Sequence, residues 1–342
     1  VLLSPVVDGQ RHLVLAGADA VLSDTLDVSA SVTWTVDSLS LADAAVMRTT
    51  GDLDIRADAL SLGAGAVVAA AEYLSVQGAQ VSAADGNAQL QAQLLDLSLT
   101  GNFGDQDQAV GTQVAAVRGQ AHALYLSEAD DLLVAGVQTQ TSVWRVMGDW
   151  TLDADVQLQA SDLSVEAQSI QADSGAQLIA DRLSLQSVND IGAVQAPLSI
   201  DAGVVSARSE AGAIALDAAA DLVIGEDGIV VATGQGAVVL SALSGSIQSV
   251  NVNVDPAIAT AGQARLSAKN GIGDLDEGRL RVDVGSVSAS NATSGHVVLS
   301  SLEDLNVAEA GVRNDAAGAW AALFSEQGEV STAAGDVVST NE

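Results

Sequence analysis

Acidic side chains beside glycines are the residues of this sequence whose types and spacing could do chemistry. They lie in three groups, each in an expected turn: Asp105 and Asp107; Asp274, Asp276 and Glu277; and Glu226 and Asp227. Oxygen ligands gathered in a turn are what Ca²⁺ prefers. None of the groups matches an EF-hand loop or the nonapeptide calcium repeat. Solvated turn carboxylates are therefore the favoured interpretation. Calcium remains the alternative, with Asp105, Asp107, Asp274, Asp276 and Glu277 as candidate ligands.

Two tryptophans interrupt the surrounding pattern. Trp144 and Trp150 flank Arg145 and Met147 in a chain that has only 2% aromatic residues. Trp144, Arg145 and Trp150 could form a contact patch on the surface. The favoured interpretation is that the indoles fill a wider part of the core or pack under a loop, because large aromatic rings are usually buried.

Catalytic constellations are not indicated. The chain has no cysteine, which excludes disulfides, Cys-ligated zinc and a thiol nucleophile. His12, His122 and His296 stand far apart, so their spacing builds neither a triad nor a zinc site. A polysaccharide-cleaving enzyme would need carboxylates that converge with Arg or Lys and aromatic platforms. Basic and aromatic residues are few and scattered, so we expect no enzyme, no catalytic residue and no cofactor.

Charge and composition exclude further classes. Twelve basic against 44 acidic residues give a net charge of −32, which disfavours nucleic acid and anionic lipid as partners. The longest apolar run, residues 62–71, is too short to span a bilayer, so no membrane insertion is expected. Apolar residues make up 48% of the 342, enough for a substantial core. That core consists mainly of Ala, Val, Leu and Ile, as regular, narrow layers require.

An internal repeat organises the chain. Ala88-Gln89-Leu90 returns 88 residues later as Ala176-Gln177-Leu178, and more loosely after another 88 as Ala264-Arg265-Leu266. Related units cover residues 88–312. A smaller element, glycine followed by two alternating apolar positions, begins at Gly51, Gly148, Gly212, Gly236 and Gly295. Glycine suits a turn and the alternation predicts a strand with one buried face.

Short strands of this kind predict a right-handed parallel β-helix. Each strand is too short to bury its apolar face alone, and stacking coil upon coil joins the faces into one core. Coils of about 22–25 residues would give roughly 14–15 coils. The fold alternative, a β-sandwich or barrel array, would need hairpin turns, of which Asn270-Gly271 is the one Asn-Gly candidate. We expect divergent coils in residues 1–48, the repeat in 49–312, and a coil in 313–342 that continues into a larger protein.

The repeat has a family resemblance. Asn189-Asp190-Ile191-Gly192, then Pro197-Leu198, Gly212 and Asp221-Leu222-Val223-Ile224, resembles the repeats of filamentous-haemagglutinin-like large exoproteins of Gram-negative bacteria. The likeness covers about two thirds of the chain. It implies a β-helix that is secreted or displayed on the cell surface. The family's N-terminal secretion domain is not part of this sequence.

Two functional hypotheses follow. The first is a structural or adhesive segment that attaches cells to each other or to matrix, through a protein or glycan partner, with self-association end to end or into a filament. The second is a β-helical carbohydrate-active enzyme, a polysaccharide lyase or hydrolase. Carboxylates that converge with an Arg in one groove would favour the enzyme, whereas acids distributed over corners would favour the adhesive segment.

Overall fold

The protein is a parallel β-solenoid of about 15 turns. The computed structural model describes residues 2–8, 10–250, 256–274, 278–333 and 338–340, and these contain strands and turns but no helix. Within each of the two units described below, the paired strands run parallel, except that β1 (Leu2–Asp8) and β2 (Gln10–Leu22) run antiparallel. The predicted β-helix is confirmed, and so is its expected number of coils.

The chain divides into two compact units. The first comprises residues 1–167 and 173–175. After β1 and β2 its strands are β3 (Thr25–Val28), β4 (Ser31–Leu41), β5 (Val46–Thr49), β6 (Leu53–Leu62), β7 (Val67–Ala70), β8 (Tyr73–Gly78), β9 (Gln80–Ala83), β10 (Gln89–Leu99), β11 (Asn102–Phe103), β12 (Val110–Gln120), β13 (Ala123–Glu128), β14 (Leu132–Gln138), β15 (Thr141–Val146), β16 (Trp150–Leu152) and β17 (Gln157–Ala167).

The second unit comprises residues 168–172 and 176–342. Its strands are β18 (Ile170–Ala172), β19 (Gln177–Ser187), β20 (Leu198–Ser209), β21 (Ile214–Ala218), β22 (Leu222–Val231), β23 (Val238–Ala242), β24 (Ile247–Ser249), β25 (Ile258–Ala268), β26 (Leu280–Asn291), β27 (Val297–Ser301), β28 (Leu305–Asn314), β29 (Ala321–Ser325), β30 (Val330–Thr332) and β31 (Val338–Thr340). The division into residues 1–48, 49–312 and 313–342 stays a prediction.

The core of each unit is a set of apolar columns, in which one residue per coil stacks on its equivalent in the next. One column of the first unit contains Val32, Leu53, Leu74, Leu95, Val117, Val134 and Leu152. One column of the second unit contains Leu198, Leu216, Leu240, Leu266, Ala289 and Val312. Side chains of this size fill a narrow interior, which explains why so few aromatic residues are needed.

Long strands bend where they pass from one face of a coil to the next. In β10, Leu90 and Ala92 point inward, then Gln93 and Leu94 face outward in succession, and inward alternation resumes at Leu95. β12 repeats this step at Ala115 and Ala116. Because side chains of a straight strand alternate strictly, two successive outward residues mark a change of strand direction. These bends give the coils a cross-section with corners.

Candidate functional site

A groove lies on the outer side of the bends of the first unit. It has a volume of about 600 Å³ and is lined by residues 69–71, 91–93, 113–115 and 130–131, which belong to four successive passages of the chain. The first three segments are paired in register: Gln91 stacks on Ala69 and on Gln113. We call this the bend groove. It crosses the coils, so an elongated ligand could contact several of them at once.

The bend groove is open because its floor consists of small side chains. Ala70 and Ala92 are buried, with Ala71 and Ala115 exposed beside them. Its polar groups are the carboxamides of Gln91, Gln93 and Gln113 and the carboxylates of Asp130 and Asp131. A carboxamide both donates and accepts hydrogen bonds, whereas a carboxylate only accepts them. The groove therefore offers mixed hydrogen bonding together with negative charge.

Hydrogen bonds hold two of these glutamines in place. The Gln91 side chain donates to Gln89 Oε1 at 2.9 Å, and the Gln113 side chain donates to Asp130 Oδ2 at 3.2 Å. The second bond joins two coils, because 17 residues separate its partners. The polar wall is therefore partly preorganised, which lowers the entropy lost when a ligand binds.

A buried carboxylate supports one end of the bend groove. Glu128 is completely inaccessible to solvent. Its Oε2 accepts a hydrogen bond from Val114 N at 3.0 Å, and its Oε1 accepts from Ala129 N at 2.8 Å and from Asp130 N at 3.3 Å. Burial raises the pKa of Glu128, although these donors act in the opposite direction. Glu128 thereby fixes the backbone of two groove residues, Val114 and Asp130.

Aspartates at the corners hold successive coils together. Oδ1 of Asp131, Asp221 and Asp304 accepts the backbone N–H of Asp149, Ser246 and Glu329 respectively, at 2.7–2.9 Å across 18 to 25 residues. Asp85 acts similarly toward Gly65, and this bond is the main reason why its pKa is lowered. These acids therefore stabilise the stack of coils.

Three glycines, of which Gly148 begins a copy of the smaller repeat element, face these aspartates. A Cβ on Gly148, Gly245 or Gly328 would lie 2.2–2.4 Å from Oδ1 of Asp131, Asp221 or Asp304, and 2.5–2.6 Å from backbone nitrogen of the same coil. A side chain is therefore excluded where the two corners touch. Sequence reasoning identified Gly148 as the start of a strand element and Asp221-Leu222 as part of the repeat, but it did not recognise that such glycines and aspartates are partners in adjacent coils.

Of the predicted calcium ligands, the structure describes Asp105, Asp107 and Asp274. Asp105 and Asp107 are exposed, and Oδ1 of Asp105 already accepts Asp107 N and Gln108 N. Asp274 forms a bridge with Gly278, while Asp276 and Glu277 lie outside the described residues. Among the residues that are described, no three His, Asp or Glu side chains are grouped so that they could hold a metal ion. The structure thus assigns Asp105 to its own turn.

The predicted contact patch is not formed by its aromatic residues. Trp144 and Trp150 are completely buried, with ring centroids 6.2 Å apart in an edge-to-face arrangement. The Trp144 indole donates to Ser142 Oγ at 3.0 Å inside the core. Only Arg145 of the predicted patch is exposed, as is Met147. Both indoles therefore pack inside the core, in agreement with the interpretation that they are buried.

A buried asparagine ladder supports a corner of the second unit. Asn291 and Asn314 are 1% and 0% exposed, and Asn291 Nδ2 donates to Asn314 Oδ1 at 2.9 Å. Asn314 Nδ2 donates to the carbonyls of Gly295 and Trp320. Trp320 also stacks on His296, with centroids 4.3 Å apart. The ladder satisfies corner carbonyls with amide groups that are themselves buried.

Arg118 is one of several surface cations that are paired with a nearby acid. Arg118 bonds Asp96 at 2.7 Å, and Tyr73 donates to the same carboxylate. Both interactions are local contacts on the outer faces of β8, β10 and β12, and the bend groove is lined by no Arg or Lys. The arrangement that the enzyme hypothesis requires, convergent carboxylates with an Arg in one groove, is not the arrangement of the bend groove.

No protein-family model, curated protein or solved structure matches the chain. Among the described residues, no helix is long and apolar enough to cross a membrane. Inference about function therefore depends on the geometry of the solenoid and its surface.

Proposed function

We propose that this chain is a structural and adhesive segment of a large bacterial exoprotein, secreted or displayed on the surface of a Gram-negative cell, which mediates attachment between cells or to matrix. The observation that carries the proposal is that acidic side chains hold the coils together. Asp131, Asp221 and Asp304 each bind the backbone of the adjacent coil. This distribution over corners is the one expected for a scaffold.

The outer faces support an adhesive role. On β4, β6 and β9, Ser40, Ser61 and Ser82 form one stacked column, and Ser82 Oγ lies 3.4 Å from Ser61 Oγ. Repeated short polar side chains give a regular surface that remains hydrated, and a net charge of −32 keeps it soluble. A regular surface can carry many weak contacts that together produce firm attachment.

We include in this proposal the family that the sequence resembles, the filamentous-haemagglutinin-like exoproteins. A parallel solenoid provides the architecture that the likeness implies. The partner is then a protein or glycan on a host, matrix or sister-cell surface, and self-association end to end or into filaments is part of the same proposal.

Surface display tests the function directly. The chain is displayed on a non-adherent bacterium, and attachment to matrix proteins, epithelial cells and sister cells is counted with and without an excess of the soluble chain. We expect attachment that the soluble chain abolishes. Electron microscopy of the purified chain tests the filament, which monodisperse short particles would contradict. Absence of attachment, together with cleavage of polysaccharides by the purified chain, would replace this proposal with the enzyme hypothesis.

A further inference from the structure

The residues that line the bend groove indicate the class of ligand that it would bind. We propose that it binds a neutral glycan chain that lies across the coils, and that it is the recognition site of the proposed adhesive function, on which this inference rests. Three features of the groove indicate this ligand: the mixed polar wall, the sign of its charge and the spacing of its polar groups.

The polar wall fits hydroxyl groups. Sugar hydroxyls donate and accept hydrogen bonds, and carboxamides do the same. Gln91, Gln93 and Gln113 place three carboxamides along one wall, and Asp130 adds an acceptor. The alanines of the floor leave space for a pyranose ring to approach the backbone. Few convergent polar groups in a concave site are what fixes a ligand's orientation.

The charge selects among glycans. Asp130 and Asp131 are the ionisable groups that line the groove, and the chain carries a net charge of −32. Uronates and sulfated sugars would be repelled by these carboxylates. A cationic peptide is less well matched, because Asp131 Oδ1 already accepts Asp149 N and Asp130 Oδ2 accepts Gln113.

The spacing of the coils suits a chain of sugars. Paired strands of successive coils lie about 4.8 Å apart, which is close to the advance of one pyranose residue in an extended polysaccharide. Gln91 and Gln113 occupy the same register position in neighbouring coils, so consecutive sugars would meet equivalent side chains. Each contact is weak without an aromatic platform, and firm attachment would come from many displayed copies.

Titration calorimetry of the whole chain tests the site. The probes are neutral hexasaccharides of glucose, mannose, galactose, xylose and N-acetylglucosamine, with a galacturonate hexamer and a lysine hexamer for comparison. We expect at least one neutral hexamer to bind at least tenfold more tightly than the galacturonate or lysine hexamer. Gln91→Ala and Gln113→Ala should each weaken that binding about tenfold, the effect of losing about 1.4 kcal/mol. Ala115→Phe, which fills the groove from an exposed position, should abolish it.

Gln138→Ala is the matched control. Gln138 is an exposed glutamine of the same unit that does not line the bend groove, so its removal should leave binding unchanged. Unaltered thermal unfolding of each variant shows that the loss is local. Tighter binding of the lysine or galacturonate hexamer, binding of no neutral hexamer, or binding that all three groove variants retain would overturn the proposal.

The outcomes also separate this inference from the proposed function. Cells that display the chain and attach, but whose attachment is not inhibited by any neutral hexamer, would retain adhesion and exclude the bend groove as its site. A chain that binds a neutral hexamer through Gln91 and Gln113 but supports no attachment would keep the site and exclude the adhesive function.

Discussion

Glu128 is a charged residue type that has a structural role inside the solenoid. Glu128 occupies the column formed by Met47, Val68, Leu90 and Thr112, where an apolar residue is expected. Its carboxylate is retained because three backbone N–H groups at the corner need acceptors. An unsatisfied buried donor costs about 1–3 kcal/mol.

Glu128→Gln tests this task. The variant places an NH₂ group opposite one of the three N–H donors, so we expect it to lower the free energy of unfolding by about 1–3 kcal/mol at pH 4. The folded-state pKa of Glu128 is raised by burial, so its contribution in the wild type is complete below the unfolded pKa and is lost as pH rises through the folded pKa. The difference from Gln should therefore shrink toward pH 8. Urea unfolding at both pH values measures it.

The exposed Glu166 provides the control for this measurement. Glu166→Gln should change stability by less than about 0.5 kcal/mol at either pH. A penalty for Glu128→Gln that grows as pH rises would contradict the raised pKa.

Three corners join a carboxylate of one coil to a glycine in the next. We expect Gly245→Ala to destabilise the chain by about 3 kcal/mol or more, because its Cβ would lie 2.4 Å from Asp221 Oδ1 and 2.5 Å from Asp221 N. Gly86→Ala is the control, since nothing lies within 4 Å of its Cβ, and it should be neutral or slightly stabilising. Thermal unfolding compares them. Equal stability of the two variants would show that the corners can separate without loss.

The strands and corners also show how much of the fold the sequence could predict. Alternation after Gly51, Gly148 and Gly212 was sufficient to predict strands, because an inward period of two is a local property. The pairing of Asp131 with Gly148 could not be predicted, because it depends on which corners become neighbours after the chain has coiled. Glu128 was also missed, although a lone glutamate at an inward position of a strand is a usable signal.

The bend groove could be predicted only in part. Two successive outward residues, Gln93 and Leu94, interrupt the alternation of β10, and such breaks are visible in the sequence. The sequence does not show that the bends form a groove open to solvent rather than a cavity in the core. That outcome depends on the path of four coils. Trp144 and Trp150 were also difficult to place. They are buried, but the sequence pattern alone could not decide whether their side chains face the core or the solvent.

The coil is the structural unit from which the chain is built. Leu53 stacks on Val32, and Leu74 on Leu53, each 21 residues further along the chain. Deletion of residues 53–73 would place β8 and β9 on β4 in the register that β6 now occupies. We therefore expect the shortened chain to fold, with the same circular dichroism per residue, because each coil contacts only its neighbours.

Deletion of residues 53–62 removes less chain but leaves an incomplete coil. We expect this variant to aggregate or unfold, since its inward positions no longer meet a column. Size-exclusion chromatography of both proteins provides the comparison. The opposite order of tolerance would show that the coils are not interchangeable.

Charge also acts on the whole molecule. The net charge is −32, so the excess acidic side chains repel one another in the folded state, and salt screens that repulsion. Raising NaCl from 10 to 200 mM, concentrations that shorten the screening length from roughly 30 Å to below 10 Å, should raise the Tm by about 2–4 °C. At matched ionic strength CaCl₂ and MgCl₂ should act alike. A larger shift with CaCl₂ would favour the calcium interpretation of the acidic turns.

The parallel stacking has a mechanical consequence for each unit. Hydrogen bonds between coils point along the direction in which the coils are stacked, so tension in that direction would load a few of them at a time. A coil of the 21-residue kind, once detached, adds roughly 70 Å of extended chain. A tether made in this way would lengthen in discrete steps under flow, absorb work at each step, and keep its remaining coils, and whatever they hold, intact.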